Sequence, residues 1–256
     1  MDSEAVNDGR IFLAPKDWTF PIPITYGPGR LAEIGSICER LNIFKPLIVT
    51  DSGSKNLGFN QTLKDHLKKC SLVSDVFFDI SPNPRDYEIE AGCDAYRFGR
   101  HDAIIAIGGG SAMDGAKAIG MTVNSGVALW DFEYRKTVPV VDPTRRFPSL
   151  ITIPTTAGTG AETESYSMVT DTAKGTKFCL AHPGMRPCQT ILDPELTVGL
   201  PTKLTAWTGV DALTHAIEAY IVAAFHPLSD GAALEGLRLI AKWLPIAFRE
   251  PENIAA

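Results

Sequence analysis

The stretch AIIAIGGGSAMDGAKAIG, from Ala103 to Gly120, constrains the fold of this chain more than any other. Its apolar start is the right length for a buried strand. Gly108, Gly109 and Gly110 follow as a turn signal, and the residues from Ala112 onward carry apolar side chains at helical spacing. Strand, glycine turn and helix in immediate succession bring the backbone N–H groups of Gly109, Gly110 and Ser111 to a helix N-terminus. Unpaired donors and the helix dipole make such a site suited to phosphate. Met113 stands where a strict G-x-G-x-x-G would have its last glycine, so the motif is looser than the dinucleotide fingerprint. A glycine turn that merely joins strand to helix is the alternative.

The same alternation runs through the preceding residues. KPLIVTD (Lys45 to Asp51), VSDVFFDI (Val73 to Ile80), DAIIAIGGG (Asp102 to Gly110) and SLITIPTT (Ser149 to Thr156) read as strands. Between and around them, Gly29 to Leu41, Asn60 to Cys70, Tyr87 to Gly99 and Ala112 to Val123 read as helices. Strands rich in Ile and Val that alternate with helices predict a parallel sheet covered on both faces, a doubly wound α/β fold. From about Pro201 the strand signals stop and helical periodicity takes over. The expected organisation is an α/β nucleotide-binding domain over residues 1–199 and the start of an all-helical domain over 200–256.

In a doubly wound sheet, ligands bind beyond the carboxyl ends of the strands. Asp51 ends one strand, where a carboxylate can accept from ribose hydroxyls, although it precedes the glycine turn instead of following it; a turn cap with Ser52 and Gly53 is the alternative. IPTTAGTGAETE places Thr155, Thr156 and Thr159 on a loop straight after a strand. Hydroxyls there can bond phosphate or ribose without adding charge, or can serve as local turn caps. Further along, VDALTHAIEAYI sets Asp211 and His215 four residues apart in an otherwise apolar helix, so that both project from one face. Burying them beside Val210, Leu213 and Ile217 would cost several kcal/mol, roughly, unless each found a partner. A divalent cation suits that donor pair, and a hydrogen bond between the two is the alternative.

Composition narrows the partners. With 256 residues, 45% of them hydrophobic, a large core is within reach, and a net charge of −6 with both signs interspersed gives no footprint for nucleic acid or an anionic membrane. The five cysteines form no C-x-x-C and read as reduced thiols, and the polar start MDSEAVNDGR has no apolar leader core. A cytoplasmic protein without membrane or nucleic-acid partners is expected.

Taken together, YGPG, IVTD, PNP, AIGGGSAMDGAKAIG, IPTTAGTGAE and TGVDALTHAIEAYI resemble, in their order, the iron-containing, metal-dependent group III alcohol dehydrogenases, a family separate from the zinc and short-chain enzymes. The resemblance implies NAD and a divalent metal, Fe2+ or Zn2+, in a cleft between the two domains, a small alcohol or aldehyde as substrate, and a homo-oligomer, most simply a dimer. Residue by residue it implies that Gly109, Gly110 and Ser111 form the pyrophosphate loop, with Asp114 in the same motif. Thr155, Thr156 and Thr159 become cofactor contacts, Asp51 the carboxylate at the ribose, and Asn83 and Lys177 further cofactor contacts. Asp211 and His215 become the first two metal ligands, through which they act in catalysis.

One departure accompanies the matches. The family completes its metal site with two later histidines, and the chain stops at Ala256, so it reads as truncated at the C-terminus. His66, His101, His182 and His226 match no ligand position. The helical segment with Trp243, Leu244, Ile246 and Phe248 is expected to expose apolar surface. Two rival readings follow: an NAD-binding module without turnover, or a dehydroquinate-synthase-like enzyme, whose charged substrates would call for more basic residues near Asp211 than Lys203 alone.

Overall fold

The computed structural model describes residues 22–223 and 225–256. Its strands are β1 (Ile24–Tyr26), β2 (Pro46–Asp51), β3 (Asp75–Ile80), β4 (Ala103–Gly108), β5 (Ser149–Pro154), β6 (Tyr166–Asp171), β7 (Thr176–Ala181) and β8 (Gln189–Leu192). The helices are α1 (Ile34–Arg40), α2 (Gly58–Lys69), α3 (Asp86–Gly99), α4 (Gly110–Val123), α5 (Thr202–Ile221) and α6 (Pro227–Arg249). Six strands pair in parallel in the order β1-β8-β5-β4-β2-β3, while β6 and β7 form a separate antiparallel pair.

The central strand β4 is buried along its whole length, which is why it reads as a continuous apolar run and does not alternate. Successive residues supply opposite faces. Leu47, Val49, Ile104 and Ala106 join the core under α3 and α4, whereas Ile48, Ala103, Ile105 and Ile107 join the core under α1 and α2. The parallel α/β fold is therefore as the alternation predicts. The predicted helix from Gly29 starts as a 3-10 turn, Arg30–Glu33, and becomes α-helical only at Ile34. Asp193 accounts for that entry: its buried carboxylate accepts from Gly29 N at 3.1 Å and Leu31 N at 2.9 Å.

Four strands were not anticipated. β1 and β8 are three and four residues long and pair with each other in parallel at the sheet edge, so neither carries enough residues to show a pattern. The β6–β7 hairpin did leave a signal, a glycine loop in which Gly175 has φ +63°, between two runs of strand-forming residues. The hairpin lies over α4, where the Ser167 hydroxyl donates to Asp114 O at 2.7 Å.

From Thr202 onward the chain is helical, as expected. α5 and α6 meet closely at Gly209, where a Cβ would stand 2.3 Å from Leu244 Cδ1. Trp243, Leu244 and Ile246 are only partly exposed; Leu244 packs against Gly209 of α5, and Trp243 lines a hollow beside it. Phe248 is exposed as expected, and the larger apolar exposure falls on α5, at Trp207, Val210, Ile217 and Ile221.

Candidate functional site

The strand order reverses direction between β2 and β4, and the crevice between their carboxyl ends is where such sheets take ligands. Register decides which residues arrive there. Gly108 lies opposite Pro154, and Asp51, past an irregularity in β2 after Val49, brings its carboxylate so close that a Cβ on Gly108 would stand 2.8 Å from Asp51 Oδ2. The three loops that follow these strands open into a cleft of about 910 Å³, lined among others by Asp51, Gly109, Gly110, Ser111, Thr155, Thr156 and Thr159. Leu57, Phe59, Leu196, Leu200 and Leu204 form an apolar wall that the sequence reading did not single out.

Backbone geometry explains the glycines separately. Gly108 has φ +142°, and a Cβ there would stand 2.8 Å from both Ala112 Cβ and Asp51 Oδ2, so this position is closed to any side chain. Gly109 is extended and precedes the first turn of α4, which has no side-chain cap. The uncapped first turn offers backbone N–H groups to the cleft, as an anion site requires. Gly110 faces the other loop: a Cβ there would lie 2.9 Å from Thr159 Cγ2. Asp51 makes the turn cap and also lies at the cleft. Its Oδ1 accepts from Ser54 N at 2.9 Å, a turn cap, while the carboxylate lines the cleft. Thr155 N donates to Gly108 O at 2.9 Å, and the Thr159 hydroxyl accepts from Ala161 N at 3.3 Å, so the threonine loop is tied to the glycine turn and to itself.

Asn83 and Lys177 lie beside this cleft. Asn83, at φ +58°, donates its N–H to Ser111 Oγ at 3.4 Å, and Lys177 Nζ donates to Asn83 Oδ1 at 2.9 Å. The β6–β7 hairpin thereby reaches the glycine turn through one asparagine. Asp114 is placed otherwise, beneath α4, with Lys117 Nζ 3.8 Å from its Oδ1. Burial pushes the Asp114 carboxyl up to about 6, against the opposing pull of Lys117, and burial pushes the Lys117 ammonium down. Lys117 is fully buried and donates to Ala161 O at 2.9 Å. It went unremarked in the sequence, although a lysine amid AMDGAKAIGM, where a helix faces a sheet, is itself the signal.

This arrangement has a pH consequence. Asp114 has an ordinary value of 3.8, and its folded value is raised to about 6, so its contribution to stability is fully present below the lower value and lost as pH rises through the upper one. Asp114→Asn is expected to flatten the dependence of urea stability on pH between about 4 and about 6. An unaltered slope would show that Asp114 is not a principal titrating group there.

Asp211 and His215 do share one face of α5, with His215 Nε2 at 3.9 Å from Asp211 Oδ1, too far for a hydrogen bond. The expected burial is corrected: their side chains are 45% and 49% exposed, so water reaches both. His215 Nδ1 lies 3.3 Å from Gly158 O, on the threonine loop. Among the described residues, no group of three or more His, Cys, Asp or Glu side chains is placed to hold an ion together. Of the other histidines, His66 lines the cleft, His101 lies in the core beside Asp75, and His182 and His226 cap a 3-10 turn and α6 through their rings.

A parallel sheet with an uncapped helix N-terminus, a glycine turn and a terminal strand carboxylate at its switch point defines a Rossmann-like α/β protein. Comparison with known proteins gives the family. Residues 21–194 match the family description "Iron-containing alcohol dehydrogenase", and residues 205–256 match "Fe-containing alcohol dehydrogenase family, C-terminal". The chain belongs to the iron-containing alcohol dehydrogenase family. It is 36% identical over 232 residues to the NAD-dependent methanol dehydrogenase of Bacillus methanolicus, covering 90% of this chain and 59% of that one. It is 34% identical to the 1,3-propanediol dehydrogenase of Citrobacter freundii, covering 94% of this chain and 61% of that one. The solved structure of sulfoacetaldehyde reductase from Bifidobacterium kashiwanohense in complex with NAD+ superposes with a TM-score of 0.87 at 34% identity, covering 94% of this chain and 63% of that one. The chain thus spans about three fifths of the length of the curated relatives it matches.

Proposed function

We propose that this chain carries the NAD site and the first two metal-ligand positions of a dehydrogenase that moves hydride between a small alcohol and its aldehyde or ketone. The observation that carries this reading is the row formed by Asp51, the Gly108–Gly110 turn and Thr155 to Thr159 around the uncapped first turn of α4. The pyrophosphate would take the N–H groups of Gly109, Gly110 and Ser111, and Asp51 would accept from the ribose hydroxyls. Thr155, Thr156 and Thr159 would close over the cofactor, with Asn83 and Lys177 bracing the turn from the hairpin side. Asp114, which does not line the cleft, would support the turn only through α4 and its contact with Lys117. The apolar wall opposite suits the adenine or nicotinamide ring and excludes water from it. The division into a nucleotide-binding unit up to residue 199 and a helical unit from residue 200 belongs to this reading.

Asp211 and His215 offer one carboxylate oxygen and one imidazole nitrogen, the donor types a first-row divalent ion accepts, and would hold it in part. When bound, such an ion supplies Lewis acidity to the substrate oxygen. Titration calorimetry with NAD, beside alcohol-dependent NADH formation, tests the proposal. Absence of NAD binding would remove it.

Two donors leave an ion largely to water, whereas a catalytic site of this kind gathers at least about three. Metal content after dialysis against Fe2+ or Zn2+ is therefore expected far below one ion per chain, with negligible oxidation of ethanol or 1,2-propanediol. Tightly held stoichiometric metal with turnover would refute that expectation. NAD binding without turnover is the corresponding second reading, favoured by this same donor count among the described residues.

Cofactor preference should follow Asp51. A carboxylate at the ribose repels a 2′-phosphate, so Asp51→Gly is expected to improve NADP affinity relative to NAD by roughly tenfold, or about 1.4 kcal/mol. Competitive titration of the two cofactors measures the ratio, and an unchanged ratio would take Asp51 away from the ribose.

A further inference from the structure

His215 presents its two ring nitrogens to different partners. Nδ1 lies 3.3 Å from the carbonyl oxygen of Gly158, and Nε2 lies 3.9 Å from Asp211 Oδ1, beyond hydrogen-bond reach. A carbonyl oxygen can only accept, so the contact to Gly158 requires the proton on Nδ1. A neutral ring with its proton there has a bare Nε2 lone pair, and that lone pair faces the side of Asp211. We propose that the Gly158 carbonyl is a positioning group that holds His215 in the Nδ1–H tautomer and joins the threonine loop to the Asp211–His215 pair. The inference rests on the reading of that pair as metal ligands and adds how one of them is set.

The threonine loop is built to hold this carbonyl in place. Gly158 has φ +152°, and a Cβ on it would stand 2.5 Å from Thr208 O, so the loop runs against the backbone of α5 and no larger residue fits. One residue away on either side, Ala157 and Thr159 belong to the loop whose Thr156 and Thr159 line the cleft. Anything that orders this loop from the cleft side also orders the oxygen that receives His215 Nδ1–H. Outer partners of this kind ordinarily fix ring orientation and tautomer in metal-binding histidines. The chain thus connects its two candidate sites through a single peptide unit, with Gly158 as the link.

The test is long-range proton–nitrogen NMR on chain labelled with nitrogen-15 histidine, recorded at about pH 8.5, above the ordinary imidazole range. His215 is assigned by its loss in His215→Asn. The expected result is a His215 ring mainly in the Nδ1–H form, opposite to the Nε2–H preference of an unconstrained histidine side chain, with ring signals that shift when NAD is added. Gly158→Ala, which must displace the loop, is expected to return His215 to the Nε2–H form. An Nε2–H ring in the unaltered chain overturns the proposal whatever that variant does, and ring signals indifferent to bound NAD overturn the link between the sites. Titration with Zn2+ to large excess, which reads the weak binding that dialysis would lose, separates the underlying reading: Nδ1–H signals that still ignore Zn2+ would leave the hydrogen bond standing and remove the metal role.

Discussion

Lys117→Ala is expected to cost about 3–5 kcal/mol of folding stability, lowering the melting temperature by about 10 °C. Lys117 has 0% exposure, and its ammonium donates to Ala161 O at 2.9 Å and lies 3.8 Å from both Asp114 Oδ1 and Glu164 Oε1. Deleting it leaves a buried carbonyl and a largely buried carboxylate without their cation, and opens a cavity the length of the side chain. The Ala161 carbonyl cannot simply turn to water. The next carbonyl, of Glu162, is held by the Thr152 hydroxyl at 2.7 Å and the Thr190 hydroxyl at 2.8 Å, which fixes the loop to the sheet. Much of the loss is expected to return in Lys117→Met combined with Asp114→Asn, since that pair restores volume and removes the stranded charge. The loss should also be smaller at pH 5 than at pH 7, because without the lysine Asp114, already raised to about 6, takes up a proton more readily. Urea unfolding followed by circular dichroism at both pH values measures these differences. A cost below about 1 kcal/mol would show that the buried lysine contributes little net stability.

Gly110→Val is expected to reduce NAD affinity at least about a hundredfold, or about 2.7 kcal/mol, with the fold retained. A valine at the first residue of α4 places branched carbon where phosphate would approach the helix N-terminus. The structure adds a second cause. The new Cβ would stand 2.9 Å from Thr159 Cγ2 and 3.3 Å from its Oγ1, so the threonine loop is pushed off the glycine turn at the same time. Gly110 does not have a positive φ, so the substitution carries little backbone strain, and valine is no worse a helix former than glycine. Gly108 would be the wrong choice for this test, because at φ +142° a side chain would distort the strand end itself. Calorimetric titration with NAD beside the far-ultraviolet spectrum decides the matter, and a retained affinity with a native spectrum would place the cofactor elsewhere.

How much of this could be read before folding depends on how local the cause is. β2 to β5 and the helices between them are visible in the chain because burial on both faces of a parallel sheet demands uninterrupted apolar runs, and Ala103 to Gly108 is one. The glycine turn is visible for the same local reason: strand end, turn and helix start are contiguous. β1 and β8 are not visible, since a strand of three or four residues exists because of the neighbour it pairs with. The Asp211–His215 pair was correctly put on one helix face by its spacing, but its burial was misjudged, because exposure depends on what covers α5 and not on the residues beside it in the chain.

By itself, then, the sequence determined the parallel α/β frame, the glycine turn between strand and helix, the helical region from Thr202 and the donor types at Asp211 and His215, all consequences of neighbours within a few residues. Tertiary structure alone decided that Gly108 lies opposite Pro154 with the Asp51 carboxylate beside it, that Lys117 ties α4 to the threonine loop, and that the Gly158 carbonyl meets His215. Those contacts join residues separated by tens of positions along the chain. They come from strand register and from the way a helix and a loop seat against each other, neither of which leaves a local pattern.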